Sequence, residues 1–198
     1  LDAVYAEHRT LVPDSSLLRD GRRVAHNGED TCIATFRFAS GLMGHWTWSH
    51  VLPGVDHMRV AFYCEKGYVL DDTPGGWTHT FGGGFIDSQA QVFTPDGAVH
   101  TGRDLELEYL LSLDGQAKAR LFPHGVHRGM AIECHEFVDC IRQGRHPEVD
   151  AEAGLAGLAV GAALYESALC GQAVRVEDVL LGRVDAYQRP IDTHWGLI

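Results

Sequence analysis

The sequence predicts an α+β fold: an open, mostly antiparallel sheet with helices packed on one face. The first half of the chain indicates the sheet, because apolar and polar residues alternate with a period of two in several short segments. The second half indicates the helices, because from Gly125 onward apolar residues recur at spacings of three and four. Consecutive strands with short connections favour an antiparallel meander over a parallel sheet.

The strand predictions rest on alternation bounded by turn residues. Cys32, Ala34 and Phe36 share one face of the first segment, and Ser40-Gly41 separates that segment from its partner. In chain order the predictions are strands over Thr31 to Ala39, Leu42 to Val51, His57 to Cys64 and Tyr68 to Asp71, a loop over Asp72 to Gly84, a hairpin over Gln91 to His100, and either a strand or a helix over Asp104 to Leu113.

The first clearly predicted helix carries an apolar stripe from Val126 to Ile141. Gly144 stands where a helix C-cap glycine belongs, and Pro147 follows soon after. The chain then resumes with a second helix, for which Asp150 is a suitable N-cap.

The second helix is rich in small residues and ends at Gly171. Glycine inside a helix costs about 1 kcal/mol relative to Ala, so we expect this backbone to lie close against a sheet or another helix. The glycines concerned are Gly154, Gly157 and Gly161. After an extended segment, a short helix is predicted over Val176 to Gln188 and an irregular tail over Arg189 to Ile198.

Composition excludes several classes of protein. The formal net charge is −11, from 16 Lys and Arg against 27 Asp and Glu, so the average field would repel nucleic acid. No run of about 18 apolar residues and no signal-type N-terminus occurs, which indicates neither a membrane span nor secretion. The five cysteines lie in predicted core segments, and free thiols there indicate the reducing cytoplasm.

Motifs for nucleotide binding and for common hydrolases do not occur in the sequence. A dinucleotide fingerprint needs G-x-G-x-x-G between a strand and a helix. The nearest candidate, Gly82-Gly83-Gly84, lacks that context and is better explained as a flexible loop. No Walker loop, G-x-S-x-G elbow or H-E-x-x-H helix is found. Ser167 is interpreted as a packing serine on the second helix.

Twelve histidines raise the alternative of a metal-dependent hydrolase or lyase. His124 and His127 have nearly a ligand spacing, His135 lies two turns further on, and Glu133 or Glu136 offers a carboxylate. A useful site needs three or four converging ligands, so partly exposed histidines around a pocket are favoured. We predict no metal in this chain.

The predicted strand from Gly44 to His50 is rich in groups that suit a hydroxylated ring. Aromatic faces pack on C–H surfaces, and imidazoles form hydrogen bonds with hydroxyls. The alternative, which carries equal weight, is that Trp46 and Trp48 anchor the core or an interface and that the histidines are solvated.

Three stretches resemble the C-terminal domain of the Gfo/Idh/MocA oxidoreductases, which are NAD(P)-dependent dehydrogenases of sugars, inositols and cyclic diols. They are the strand–turn–strand from Val60 to Asp71, the helix end from Glu133 to Gly144, and the small-residue helix with its return strand from Ala153 to Val176. The order and spacing of the three stretches make the resemblance fairly specific.

The resemblance implies that residues 1–198 form a single C-terminal domain for substrate binding and oligomerisation, without the nucleotide-binding half of the enzyme. NAD or NADP would then bind the full-length parent and not this chain alone, which is expected to be inactive by itself. Homodimers or tetramers would form through the open sheet face. The alternative is a stand-alone binding or assembly subunit that lost the redox domain.

The resemblance also points to residues on the substrate side of the site. Asp56 and His57 open the strand that is similar to the family's ring-contacting one. The further candidates are Trp48, His50, His79 and, more weakly, His127. Lys66 and Lys118 are the only lysines, and neither lies in the family's catalytic motif, so no catalytic residue is assigned.

Overall fold

The computed structural model describes residues 1–13, 16–19, 22–25, 28–51, 59–72 and 90–198. The chain divides into two compact units: unit 1 comprises Leu1–Pro53 with Val149–Ile198, and unit 2 comprises Gly54–Glu148. The predicted α+β class is confirmed. The strands form two antiparallel four-stranded sheets and a separate hairpin, because each unit builds a sheet of its own.

The described strands are β1 (Ala3–Arg9), β2 (Ser16–Arg19), β3 (Arg22–Ala25), β4 (Thr31–Arg37), β5 (Met43–Ser49), β6 (Val60–Cys64), β7 (Gly67–Asp71), β8 (Gln91–Phe93), β9 (Val99–Thr101) and β10 (Val174–Arg175). The described helices are α1 (Gly102–Ser112), α2 (Gly115–Leu121), α3 (Gly129–Gln143), α4 (Ala151–Cys170), α5 (Val176–Leu180) and α6 (Gln188–His194), with a 3₁₀ turn at Pro123–Gly125.

Unit 1 is a four-stranded antiparallel sheet in the order β10-β1-β4-β5, with α4 packed on one face. The pairing places Val4 opposite Phe36, Ala6 opposite Ala34, and Cys32 opposite Trp48, so these side chains share the covered face. The core consists of this face and the buried residues of α4, β10 and α5, namely Ala159, Ala163, Leu164, Val174 and Val176. The predicted alternation in β4 is therefore confirmed.

Ser167 joins α4 to β1 and to the turn before β10 through a fully buried hydroxyl. The Ser167 Oγ accepts the Ala6 N–H of β1 at 3.0 Å and donates to the Gln172 carbonyl at 2.6 Å. An unpaired N–H or C=O at this depth would cost about 1–3 kcal/mol. The residue interpreted from sequence as a packing serine therefore also satisfies two backbone groups between α4 and β1.

Unit 2 contains the sheet β6-β7-β8-β9 and helices α1 to α3. The segment over Asp104 to Leu113, which fits either a strand or a helix, is helical, with the Thr101 hydroxyl accepting the N–H of Asp104 as its N-cap. α3 ends at Gly144 in the left-handed region, as predicted. After this end, the Arg145 guanidinium binds both Glu136 carboxylate oxygens at 2.7 Å.

Two predictions about the C-terminal half are wrong. A Cβ built on Gly154, Gly157 or Gly161 meets nothing within 4 Å among the described residues, so no close approach explains these glycines. The first eight residues of α4 are exposed, and its buried residues begin at Ala159. The segment after Arg189 is not an irregular tail, since α6 occupies Gln188–His194. The other predicted features of α4, an Asp150 N-cap and a Gly171 terminus, are confirmed.

α4 is the one described helix that is long and apolar enough, by length and composition, to cross a membrane. Its C-terminal half packs against β1, β10 and α5, where Ala163 and Leu164 are buried. A helix in the core of a globular unit meets the same length and composition criteria.

Candidate functional site

The candidate site lies at one end of the unit 1 sheet, where β1 and β5 finish and β4 begins. Asp30 is fully buried at this end. Its carboxylate accepts the backbone N–H groups of Leu11 and Val12 at 2.9 Å each and the hydroxyl of Thr31 at 3.0 Å. Its carbonyl accepts the N–H of His50 at 2.8 Å. These bonds fix the backbone on which the predicted residues Trp48 and His50 stand.

Five rings form an aromatic row that starts at this strand end: His50, Trp48, His8, Tyr165 and Tyr187. The centroid distances between successive rings are 4.7, 6.3, 4.4 and 4.8 Å. His50 is exposed and Trp48 is half-buried, so the row runs from the surface into the helix–sheet interior. The structure thus places the predicted residues Trp48 and His50 side by side.

His8 is the buried member of the aromatic row. Its side chain is 9% exposed, and neither Nδ1 nor Nε2 has a hydrogen-bond partner in the part of the chain that the structure describes. Burial lowers the pKa of His8, and the negative charge of Glu29 opposes this effect to a smaller extent. The imidazole is therefore held neutral between Trp48 and Tyr165.

The other end of the row is fixed by a carboxylate. The Tyr187 hydroxyl donates to the two Glu29 oxygens at 3.2 and 3.3 Å. Burial, together with the charge and hydrogen bond of Glu29, raises the pKa of Tyr187 to about 12. Burial and the Glu29 charge also raise the pKa of Tyr165. Both phenols stay protonated at neutral pH, so Tyr165 and Tyr187 are neutral beside the neutral His8.

The buried His8 predicts a loss of stability as pH falls. The unfolded chain has a histidine pKa of about 6.5, and the folded pKa is lower. Below about pH 6.5 the histidine of the unfolded state binds a proton that the buried His8 of the folded state does not bind. The free energy of unfolding therefore decreases until the folded pKa is reached. His8→Phe, which keeps the ring, should remove this part of the pH dependence in urea unfolding measured from about pH 7.5 to 5.

The control for this prediction is His45→Phe on the opposite, exposed face of the same sheet. The His45 variant retains the buried imidazole and should keep the pH slope of the original chain. Equal slopes in the His8 and His45 variants would contradict the assignment to His8.

The remaining predicted residues divide into two groups. Asp56, His57 and His79 lie outside the described residues. His127 belongs to unit 2, where its ring stacks on Phe122 at a centroid distance of 4.4 Å. Within the described ranges no group of three or more His, Cys, Asp or Glu is placed to hold a metal ion. Glu136, one of the two carboxylates considered as a ligand, is bound by Arg145.

Four of the residues that form this site were not identified from the sequence: His8, Glu29, Tyr165 and Tyr187. Period-two alternation of Val4, Ala6 and His8 is present in β1 and would have placed His8 on the covered face. No local signal links Tyr187 to Glu29, which lies 158 residues away.

A family model described as the C-terminal α/β domain of an oxidoreductase family, Gfo/Idh/MocA, matches residues 3–176. The chain belongs to the Gfo/Idh/MocA oxidoreductase family. The match runs from the first residue of β1 to the first residue of α5, so it includes four of the five rings of the aromatic row, all except Tyr187. None of the curated proteins matches the chain significantly.

Solved structures of oxidoreductases have a similar fold. Levoglucosan dehydrogenase in complex with NADH and levoglucosan has a TM-score of 0.58 and 18% identity, over 88% of this chain and 44% of that chain. An oxidoreductase domain protein from Kribbella flavida has a TM-score of 0.58 and 18% identity, over 88% of this chain and 46% of that chain. An oxidoreductase from Agrobacterium radiobacter in complex with NAD⁺, L-tartaric acid and magnesium has a TM-score of 0.56 and 15% identity, over 89% of this chain and 43% of that chain. The chain spans less than half the length of these proteins.

The described residues do not fit a dinucleotide. In the described parts of the chain a strand leads directly into a helix at two places, Thr101 before α1 and Arg175 before α5. The first junction has one glycine, Gly102, and the second has none, so neither carries the G-x-G-x-x-G that lets a backbone approach a pyrophosphate. Gly82-Gly83-Gly84 lies outside the described residues. We therefore assign no cofactor step to the residues of unit 1 or unit 2.

Proposed function

We propose that this chain is the substrate-binding and oligomerisation part of an NAD(P)-dependent oxidoreductase that acts on a sugar, cyclitol or related ring alcohol. The observation that carries the proposal is the family match over residues 3–176, with an aromatic row that reaches the surface at one strand end. NAD or NADP would bind a separate nucleotide domain of the parent protein.

The chemistry of the row suits a hydroxylated ring. The half-buried Trp48 offers a flat apolar face for ring C–H groups. The exposed His50 offers an imidazole N–H and a nitrogen acceptor for hydroxyls. Levoglucosan, a cyclic sugar, is bound by a dehydrogenase of the same fold. Asp56, His57 and His79 remain proposed substrate contacts in addition to these two residues.

His50→Ala tests the substrate role because the side chain is exposed and contributes little to the core. Affinity for a ring polyol such as levoglucosan or myo-inositol, measured by NMR titration, should fall about fivefold, as expected for one lost hydrogen bond of about 1 kcal/mol. His45→Ala, on the opposite face of the same sheet, should leave the affinity unchanged. Equal losses in both variants would contradict a role for His50.

The proposal also predicts that residues 1–198 alone do not reduce NAD⁺ in the presence of any polyol. Turnover by the purified chain, followed at 340 nm, would overturn it. The coding sequence upstream of Leu1 gives an independent test. A strand, G-x-G-x-x-G and helix there would support a dehydrogenase parent, whereas a start codon without such a region would favour a stand-alone binding or assembly subunit.

Oligomerisation is proposed through the sheet face opposite α4. On this face Ile33 and Met43 are 56% and 80% exposed, and Tyr5 is 40% exposed. Exposed apolar side chains on a flat sheet are typical of protein interfaces. Ile33→Glu should convert a dimer or tetramer into a monomer in light scattering after gel filtration. Thr35→Glu places the same charge at the next outward-facing position of β4, where it replaces a polar residue. Comparing the two variants shows whether dissociation depends on the loss of the apolar Ile33 side chain. A monomeric original chain would contradict the proposal.

A reducing cytoplasmic location is proposed as well. All five cysteines are free thiols, of which Cys32 and Cys140 are buried and Cys64, Cys134 and Cys170 are exposed. The expectation that all of them belong to the core is therefore wrong for three. Exposed free thiols persist in reducing compartments.

A further inference from the structure

We propose that unit 2 contains a binding pocket for a small organic anion, formed by α2 and the turn that follows it. The pocket has a volume of about 530 Å³, within the range of small-molecule sites. Its polar groups are Lys118, His124 and His127, and its walls are formed by Leu110, Ala119, Phe122 and Gly125. The proposed ligand carries a carboxylate or phosphate on a compact body.

The first supporting observation is the local charge. Between Gly115 and Ile132 the chain has three positive residues, Lys118, Arg120 and Arg128, and no Asp or Glu, although the whole chain has a net charge of −11. The same segment contains His124 and His127. A cluster of this sign in an acidic protein produces a local field that attracts anions.

The second observation is that these donors form no side-chain hydrogen bond or ion pair with the part of the chain that the structure describes. Across the described ranges, no carboxylate pairs with Lys118, and neither imidazole at His124 or His127 forms a hydrogen bond. Arginines elsewhere are paired: Arg37 with Asp2, Arg145 with Glu136 and Arg189 with Asp185. An ammonium and two imidazole N–H groups are therefore available to ligand oxygens.

The third observation concerns the shape of the turn. His124 has φ 57° and ψ 20°, and it is the one non-glycine residue at positive φ among those described. This conformation costs about 1–2 kcal/mol for a residue with a Cβ. Glycine follows at position 125, also at positive φ. His124 and Lys118 both line the pocket, and the stacked Phe122 and His127 rings, 16° from parallel, form a flat apolar side. The His124 ring also lies 5.8 Å from that of His135.

The pocket walls indicate a ligand with an apolar or ring-shaped body in addition to the anionic group. A bare ion would leave the faces of Phe122 and Leu110 without contact. A sugar acid and a sugar phosphate share this chemistry, and the two differ only in the source of the anionic oxygens. The site belongs to unit 2 alone, so the proposal does not depend on the redox function of the parent protein.

The test is an NMR titration of the 198-residue chain, observing the imidazole C–H signals of His124 and His127. The probes are D-glucuronate, D-glucose 6-phosphate and D-glucose, which share a ring and differ in charge. One or both anions should give saturable shifts of these two signals, and D-glucose should not. Saturation by glucuronate alone or by glucose 6-phosphate alone identifies the preferred anion. No saturable shift with either anion, or equal binding of D-glucose, would overturn the proposal.

Variants at the two lysines provide a matched comparison. Lys118→Gln should weaken anion binding about tenfold or more, because a charge-assisted hydrogen bond is lost. Lys118→Arg should retain binding within a few-fold, since it keeps the charge. Lys66→Gln, the same change at the other lysine of the chain, should bind like the original protein. Both lysines are exposed, so each variant is expected to fold, as thermal unfolding will check. Equal affinity in the Lys118→Gln and Lys66→Gln variants would contradict a site at Lys118.

His124→Gly separates a ligand role from a structural one. Glycine adopts the positive φ without strain, so this variant should unfold at the same temperature or a higher one. Its affinity for the anion should nevertheless fall several-fold because an imidazole donor is lost. Unchanged affinity would remove His124 from the site.

Discussion

Gly67→Ala is expected to disrupt the unit 2 sheet, with a loss of more than about 4 kcal/mol in the free energy of unfolding. Gly67 opens β7 with φ 130°, a conformation that L-residues avoid. An added Cβ would also overlap the carbonyl oxygen of Phe93 in β8. The overlap is with backbone, so relief requires breaking the pairing of Tyr68 with Phe93 rather than rotating a side chain.

Variants at two other glycines separate the two causes of this destabilisation, the backbone strain at positive φ and the overlap of the added Cβ. Gly97 has φ 85° and no atom within 4 Å of an added Cβ, so Gly97→Ala isolates the backbone strain, about 1–2 kcal/mol. Gly115, at the start of α2, has neither restriction, and Gly115→Ala should be neutral or slightly stabilising. Urea unfolding gives the three values, and amide spectra show whether β6 to β9 is lost. A Gly67 variant as stable as the Gly97 variant would contradict the overlap.

Glu166→Ala is expected to cost about 3 kcal/mol and to release the C-terminal segment from unit 1. Glu166 is 2% exposed in α4. Its carboxylate accepts the Tyr187 N–H at 3.0 Å with both oxygens and the Gln188 N–H at 3.2 Å. It thereby caps the start of α6, where a negative charge is favourable. Removing it leaves two backbone donors without partners and a cavity beside α4.

The control for this prediction is Glu177→Ala on α5, where the carboxylate pairs with Arg175 at the surface. That pair is more than half exposed on both sides, so its loss should cost less than about 1 kcal/mol. Glu166→Gln, which keeps one carbonyl oxygen, should fall between the two. Unfolding in urea measures the energies, and chymotrypsin should cleave after Tyr187 sooner in the Glu166→Ala chain. Similar values for Glu166→Ala and Glu177→Ala would show that the segment is held by other contacts.

The elements that could be predicted from sequence are those with local signals. β4 and β5 alternate regularly, and α3 and α4 end at glycines in the left-handed region. The α2 helix was missed because GQAKARL is polar on most of its surface, and its N-cap, Asp114, was its main local signal. The α6 helix was missed because its start is capped by Glu166, which lies on another helix.

The same distinction applies to the candidate sites. Trp48 and His50 could be expected on one side of the chain because Trp48 lies in β5 and His50 follows two residues later, directly after the strand ends. The aromatic row beyond them depends on helix α4 and on the segment after α5, which meet the sheet only in the folded chain. The unit 2 pocket combines residues from two helices and a strained turn. Of these residues, only the histidines were candidates for a site in the sequence. Histidine is one of the non-glycine residues enriched at positive φ, so Pro123-His124-Gly125 was a turn signal that the sequence predictions did not use.

The bond between Ser167 and Ala6 has a consequence for the order in which the protein forms during synthesis. It joins residues 161 positions apart, and β10 also pairs with β1. Unit 1 is therefore assembled from both ends of the chain, whereas unit 2 is one continuous segment, Gly54–Glu148. On the ribosome, unit 2 can fold while β1 and β4 still lack the helix that covers them. Unit 1 cannot complete its sheet and core until its C-terminal residues have been synthesised. The long sequence separation between its contacting residues also makes it the slower unit to fold.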